Sequence, residues 1–251
     1  PGICYKLWSK SQDGSFSDFP PSEIENSDLT PFALELALWG SNINELALLT
    51  RPKKKALAEA YKVLEMLGAV NEQLQITKNG HSLSKIPLHP RLAKIILAGG
   101  KDATLLASIL SNGDPLNNMN NSDINVRISS VKNYQNQKSD SSYSLKVPIV
   151  REIMKEISRL SKHLTNQSDY TVAQLAALAY PDRIGKRREG KAPRYILSNG
   201  KGAIMAGSDP LGSVPFIVAC NLDGNLQEAK IRQCLPITLS EIKELFGNQI
   251  I

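Results

Sequence analysis

Apolar residues keep a helical spacing along this chain as far as Ala179 and lose it at Tyr180-Pro181. That one change limits the fold to a helical body that hands over to a unit of short strands. Before it, Leu57, Ala60, Tyr61, Leu64 and Leu67 form the i, i+3, i+4, i+7 stripe of an amphipathic helix. Ile149, Ile153, Ile157, Leu160 and Leu164 share one face of another. After it, Arg194–Leu197, Ala203–Met205, Phe216–Ala219 and Ala229–Arg232 are strand-length runs separated by Gly and Asp-Gly turns. The expected class is α+β, mainly helical, closing with a small β-barrel or OB-like unit.

Within the helical part, Gly2–Ser9 alternates and predicts a strand with no partner nearby, one that should belong to a sheet mostly missing from these residues or lie against the rest of the chain, and Ser11–Pro21 predicts a polar loop. A helix is expected from Ser22, with Leu29, Ala33, Leu36 and Ala37 on one face, Pro31 breaking or restarting it, and Gly40 ending it. A second follows over Pro52–Leu67, with Lys53, Lys54 and Lys55 in a first turn whose dipole disfavours cations. Gly68-Ala69-Val70 and Leu74-Gln75-Ile76-Thr77 then predict a short hairpin, and Thr77 caps the next helix. Helices followed by a small hairpin describe a winged helix. Residues 90–165 read as a helical bundle interrupted by an exposed Asn-, Gln- and Ser-rich loop over Asn133–Ser144.

Charge is uneven. The net is +6, yet residues 51–101 and 146–201 each carry +7, while residues 1–50 carry −5. Two basic blocks favour a polyanionic partner, because each cation that meets a phosphate releases a counterion; a solvated basic surface is the plainer reading. Three scattered cysteines, Cys4, Cys220 and Cys234, suit neither a zinc site nor a disulfide framework. A cytoplasmic chain without structural metal is expected, and the absence of a long apolar run predicts no membrane span. The opening Pro1-Gly2-Ile3-Cys4 suggests a piece of a longer protein.

The order of pieces resembles the region that follows the second RecA-like domain in DEAH-box helicases. Pro1–Trp8 is similar to the segment after the arginine-rich helicase motif VI. Glu23-Ile24 with Leu29-Thr30-Pro31 and Leu34-Glu35-Leu36 resembles the winged-helix entry, and Leu74–Gly80 with Leu83–Ile96 the wing running into the ratchet domain. Ile86-Pro87-Leu88-His89-Pro90-Arg91-Leu92-Ala93 is the most diagnostic string. Ala179–Ile184, Asn199–Ala203, Asp209-Pro210-Leu211 and Leu222-Asp223-Gly224 resemble the C-terminal region of HrpB-type helicases. Asn26 departs from the Arg of many relatives, which puts any contact made by that Arg in doubt. The resemblance implies four parts: 1–21, the last strand and loop of the RecA-like domain; 22–86, a winged helix; 87–179, a ratchet bundle; 180–251, a β-rich domain.

The resemblance also implies an ATP-dependent RNA helicase whose ATP and Mg²⁺ belong to upstream RecA-like motor domains of the same chain. No phosphate loop ending in Gly-Lys-Ser or Gly-Lys-Thr and no Asp-Glu-x-His string occurs in these residues, so no catalytic residue or cofactor is expected among them. Their implied task is to grip single-stranded RNA or DNA by its backbone. Arg183, Lys186, Arg187, Arg188, Arg194 and Lys201, close to Tyr180 and Tyr195, are the leading contact candidates, with a basic linker as the alternative. Arg91 and Lys94 are candidates or merely solvated and capping charges; Arg127 is a candidate or the partner of Asp123 at i, i+4. A stand-alone winged-helix regulator would instead bind duplex with sequence specificity, and a protein-interaction scaffold would bind no single strand at low salt.

Overall fold

The computed structural model describes residues 2–16, 19, 22–117, 120–137, 143–164, 168–224 and 228–249. Residues 17, 18, 20 and 21 of the expected first loop and 138–142 of the polar loop lie outside them. The elements run in the order α1 (Lys10–Asp13), α2 (Glu23–Asn26), α3 (Thr30–Trp39), α4 (Lys54–Met66), α5 (Lys78–Ser84), α6 (Pro90–Ala98), α7 (Ala103–Asn112), α8 (Ile124–Gln135), α9 (Val147–Leu160) and α10 (Val172–Ala179). There follow β1 (Ile184–Arg187), β2 (Arg194–Leu197), β3 (Gly202–Ile204), β4 (Phe216–Leu222), β5 (Ala229–Pro236) and α11 (Leu239–Phe246).

Pro31 restarts a helix. α2 is a single turn, and α3 begins at Thr30 with Pro31 in its first turn, where its missing N–H costs nothing. Asp28 accepts from the Thr30 backbone N–H at 2.8 Å, and Gly40 ends α3 at φ 66°, a left-handed conformation that glycine adopts without penalty. The expected strand over Gly2–Ser9 does not form: Ile3, Tyr5 and Leu7 are 83%, 79% and 93% exposed. A lone strand has nothing to pair its backbone groups with, and no sheet edge meets this segment among the described residues.

The expected hairpin shrinks to one antiparallel bridge, Val70 to Ile76. Asn71 closes its turn by accepting from the Gln73 and Gln75 backbone N–H groups through Oδ1. Thr77 then caps α5, taking the Gly80 N–H at 3.0 Å and donating to Gly68 O at 2.7 Å. Gly80 is packed so closely beneath this turn that a Cβ would collide with the Ala69 carbonyl. Gly80→Ala is therefore expected to cost about 1–3 kcal/mol through overpacking, despite alanine's better helix propensity. Chemical denaturation of the variant checks this; an unchanged or raised midpoint would show that the turn gives way.

One apolar core extends from Leu29, just before α3, through α3–α10 to Ile242 on α11, so residues on both sides of positions 86 and 179 belong to a single cluster. The strands close a barrel in the order β1-β2-β3-β5-β4, with β3 and β5 parallel and all other pairs antiparallel. Tyr195, Leu197, Ala203, Ile217, Ala219, Ile231 and Cys234 fill its interior. Val218 and Cys220 on the other side of β4 join the helical core, which seats the barrel on the bundle. A second tie comes from the segment before α8. Ser122 donates its N–H to Asp209 at 2.7 Å and accepts from the Cys234 N–H at 2.9 Å. No helix among the described residues is long and apolar enough to cross a membrane, and no group of three or more His, Cys, Asp or Glu there is placed to hold a metal ion.

Candidate nucleic-acid interface

Alternation along β2 decides what the barrel shows to solvent. Tyr195 and Leu197 point in, so Arg194 and Ile196 point out and are exposed. Residues directly opposite on neighbouring strands share a face, and register therefore builds rows across the barrel wall. Arg194 lies opposite Ile204 on β3, and Ile204 opposite Lys230 on β5. On the other side, the Arg188 N–H donates to Arg194 O at 2.8 Å, which places Arg188 beside Arg194. The row thus reads Arg188, Arg194, Ile204, Lys230. An adjoining row holds Lys186 opposite Ile196, and Arg232 lies two residues beyond Lys230 on the same side of β5.

Like charges opposite one another are unfavourable unless something neutralises them. Among the described residues two ion pairs form on this wall, and the exposed Glu189 follows Arg188 in the β1–β2 connection. Glu228 lies 3.2 Å from Arg194, and Asp223 lies 3.8 Å from Arg232. Lys186, Arg188 and Lys230, together with Lys201 in the turn between β2 and β3, are exposed or half-exposed and make no ion pair among the described residues. The wall is an anion-attracting surface with Ile196 and Ile204 as its apolar floor, and the half-buried Phe216 lies opposite Lys186 at its edge, packed against the helical core.

The other candidates are employed inside the molecule. Arg187 points its guanidinium at backbone carbonyls, donating from Nε to Gly212 O at 2.7 Å and from Nη2 to Gly190 O at 3.2 Å; it fixes the turn between β1 and β2. Arg183 lies over the Tyr180 ring at 5.2 Å and donates to Cys220 O at 3.4 Å. Tyr195 is buried and donates its hydroxyl to Leu211 O and Val214 O, both at 3.0 Å. Burial, with Cys234 nearby, pushes that phenol up to about 12, so it stays protonated. Tyr180 is buried as well. Neither tyrosine is free to stack on a base, against the expectation that placed aromatics beside the basic block.

Two candidates are withdrawn from any surface because their guanidiniums are buried. Arg91, 4% exposed, forms a bidentate pair with Asp182, Nη1–Oδ1 at 2.6 Å and Nη2–Oδ2 at 2.9 Å, and also donates to Ala179 O. Arg127, 2% exposed, pairs with Asp114 at 2.7 Å; it meets Asp123 only through that residue's backbone carbonyl, at 2.9 Å. Lys94 is half-buried on α6, where burial pushes its ammonium pKa down, and it does not join the barrel wall. His89, expected to cap or pack, accepts the Arg91 N–H at the start of α6. On α9, Lys155 and Arg159 pair with Glu152 and Glu156 one turn away, the ordinary arrangement of a solvated helix face. Lys230 and Arg232 are not among the sequence candidates, although the alternation of Ala229-Lys230-Ile231-Arg232 carries the signal for them.

No family model matches the chain. Over 247 residues, 96% of its length, it is 29% identical to the ATP-dependent RNA helicase HrpB of Escherichia coli (strain K12). Over 125 residues it is 33% identical to the probable ATP-dependent RNA helicase DHR1 of Saccharomyces cerevisiae, a match that covers 47% of the chain. The crystal structure of the E. coli DExH-box NTPase HrpB superposes on 96% of the chain with a TM-score of 0.74 at 26% identity. The chain spans 29% of the length of the first of these relatives and 10% of the second.

Proposed function

We propose a strand-holding role on the following premise: the chain belongs to the HrpB type of DEAH-box helicase and corresponds to its C-terminal part. In this reading the barrel wall grips single-stranded RNA or DNA while RecA-like motor domains of the same protein hydrolyse ATP. The observation that carries it is the row Arg188, Arg194, Ile204, Lys230, three cations brought together from the β1–β2 connection, β2 and β5. The strand order 1-2-3-5-4 is that of an OB-like barrel, whose second and third strands commonly face an oligonucleotide. Residues 22–86 are read as a winged helix and 87–179 as the ratchet bundle, both supported by the order of elements around α3–α10. The exposed Ile3, Tyr5 and Leu7 form an apolar segment suited to packing on the motor domains. ATP and Mg²⁺ belong to those domains. The sequence includes no phosphate loop ending in Gly-Lys-Ser or Gly-Lys-Thr, no carboxylate cluster among the described residues fits them, and no step of their chemistry is assigned to this chain.

The test is a triple variant, K186E/R188E/K230E, titrated with a fluorescent oligo(rU). Affinity at low salt is expected to fall, and the slope of log K against log salt to shrink by about 0.7 for each phosphate no longer neutralised. In the complete helicase the same changes should remove RNA-stimulated ATP turnover and spare the basal rate. Unchanged affinity and slope would dismiss the barrel wall as the grip, and a strong preference for one duplex sequence would favour a regulator instead.

A further inference from the structure

We propose that Asn199-Gly200, in the turn between β2 and β3, modifies itself in water to an aspartate or isoaspartate and so sets a new carboxylate beside Lys201. The chemistry stands on the turn alone; its effect on the barrel wall rests on the nucleic-acid reading of that wall. The chain contains three Asn-Gly pairs, at positions 79, 112 and 199. A glycine after an asparagine leaves its backbone nitrogen uncrowded, and the fold decides which of the three can use it. Asn79 lies in α5 and Asn112 is the last residue of α7. A helical side chain leans toward the helix N-terminus, away from the backbone nitrogen that follows it. Their amide nitrogens are also tied, Asn79 donating to Leu67 O at 2.8 Å and Asn112 to Ser108 O at 2.9 Å. Gly80 is buried as well, against the Ala69 carbonyl.

Asn199 is arranged the other way round. It and Gly200 are exposed, and Gly200, at φ +82°, has open space where a side chain would stand. The Asn199 amide nitrogen makes no hydrogen bond among the described residues, while its Oδ1 accepts the Lys201 backbone N–H at 3.0 Å. That bond polarises the side-chain carbonyl and keeps a donor where negative charge develops when the carbonyl is attacked. The Gly200 nitrogen bonds to Asn199 Cγ, the Cγ–Nδ2 bond breaks, and ammonia leaves with the proton that the Gly200 nitrogen gives up. Water then opens the cyclic imide at one carbonyl or the other, giving aspartate or isoaspartate. The Gly200 N–H donates to Leu197 O at 2.8 Å, so the turn must open for the step, as exposed turns with few buried contacts do. The product adds a negative charge next to Lys201, which makes no ion pair among the described residues.

The experiment keeps the folded 251-residue chain, and the same chain in denaturant, in mildly alkaline buffer and follows the amide-to-acid mass shift of each Asn-Gly peptide. In the folded chain Asn199 is expected to convert about ten-fold faster than Asn79 or Asn112, and in denaturant the three rates should converge. N199Q, whose side chain is too long to close the same ring, should stay intact. Aged chain and N199D are expected to bind oligo(rU) at low salt about two- to five-fold more weakly than fresh chain, and ageing should not change N199Q. Conversion of Asn79 or Asn112 as fast as Asn199 in the folded chain would overturn the inference. So would an Asn199 that stays intact there while the denatured chain converts. If Asn199 converts but N199D binds like fresh chain while K186E/R188E/K230E binds weakly, the effect on the wall is overturned and the strand-holding role stands. If the triple variant also binds like fresh chain, the strand-holding role fails and the affinity effect falls with it, while the mass shifts still decide the chemistry.

Discussion

Replacing Arg91 with Met is expected to lower the stability of the chain by about 3–5 kcal/mol, the usual cost of stripping one partner from a buried ion pair. The side chains of Arg91 and Asp182 are 5% and 10% exposed, so the carboxylate left behind has little water to turn to. In a chain of this size each kcal/mol moves the melting temperature by roughly 2–4 °C, which puts the expected drop near 6–20 °C. The loss goes beyond one pair. Arg91 also donates to the last carbonyl of α10 and lies over Tyr180 at 5.1 Å, joining α6, the end of α10 and the entry to β1. The double variant R91M/D182L, which leaves no orphaned charge, should recover most of the stability. Oligonucleotide affinity per folded molecule should be unchanged in both, because this guanidinium never reaches the barrel wall. A loss of less than about 1 kcal/mol in R91M, measured by denaturant titration, would mean that water reaches the pair.

The contrast between Arg91 and Arg188 shows what was legible in the sequence. Each is an arginine in a basic stretch, and nothing within a few residues separates a buried strut from a surface cation. The partner that decides Arg91 stands 91 positions away, beyond the whole bundle. Local signals fared better. Thr77 as a cap, Pro31 in a first turn and Gly40 as a stop depend on neighbours one turn away, and each is found in that role. Gly2–Ser9 forms no strand among the described residues, because alternation specifies a strand's faces but supplies no partner. The barrel's closure was out of reach as well. β3 pairs in parallel with β5 across the intervening β4, a choice fixed by the long-range packing of Ala203, Ile217 and Ile231 into one interior. That closure sets Lys230 beside Ile204 and completes the row, so the candidate interface depends on topology more than on the density of Lys and Arg along the chain.

Arg127→Leu is expected to cost about 2–4 kcal/mol, less than the Arg91 change, because the carboxylate it leaves has somewhere to go. Asp114 is one-third exposed and rehydrates once its partner is removed, whereas the carbonyls of Asn121 and Asp123, which accept at 2.6 and 2.9 Å, do not. The short-range pairing with Asp123 is excluded by that residue's other task. Its carboxylate caps α8 through the Asn125 N–H at 2.8 Å, so the guanidinium turns to Asp114, 13 positions earlier. Arg127 thereby ties the start of α8 to the turn after α7 and steadies the Asn121–Asp123 segment. Ser122 in that segment bonds Asp209 and β5. Removing the guanidinium should loosen the barrel's seat as well as α8. Amide exchange is expected to accelerate at Ser122 and Cys234 and to stay slow in α4. Asp114→Asn keeps an acceptor for one of the two guanidinium N–H groups that Asp114 takes and leaves the backbone carbonyl contacts in place, and should cost about 1–2 kcal/mol. Equal losses for the two variants would mean that charge pairing, and not the set of carbonyl contacts, is what Arg127 supplies.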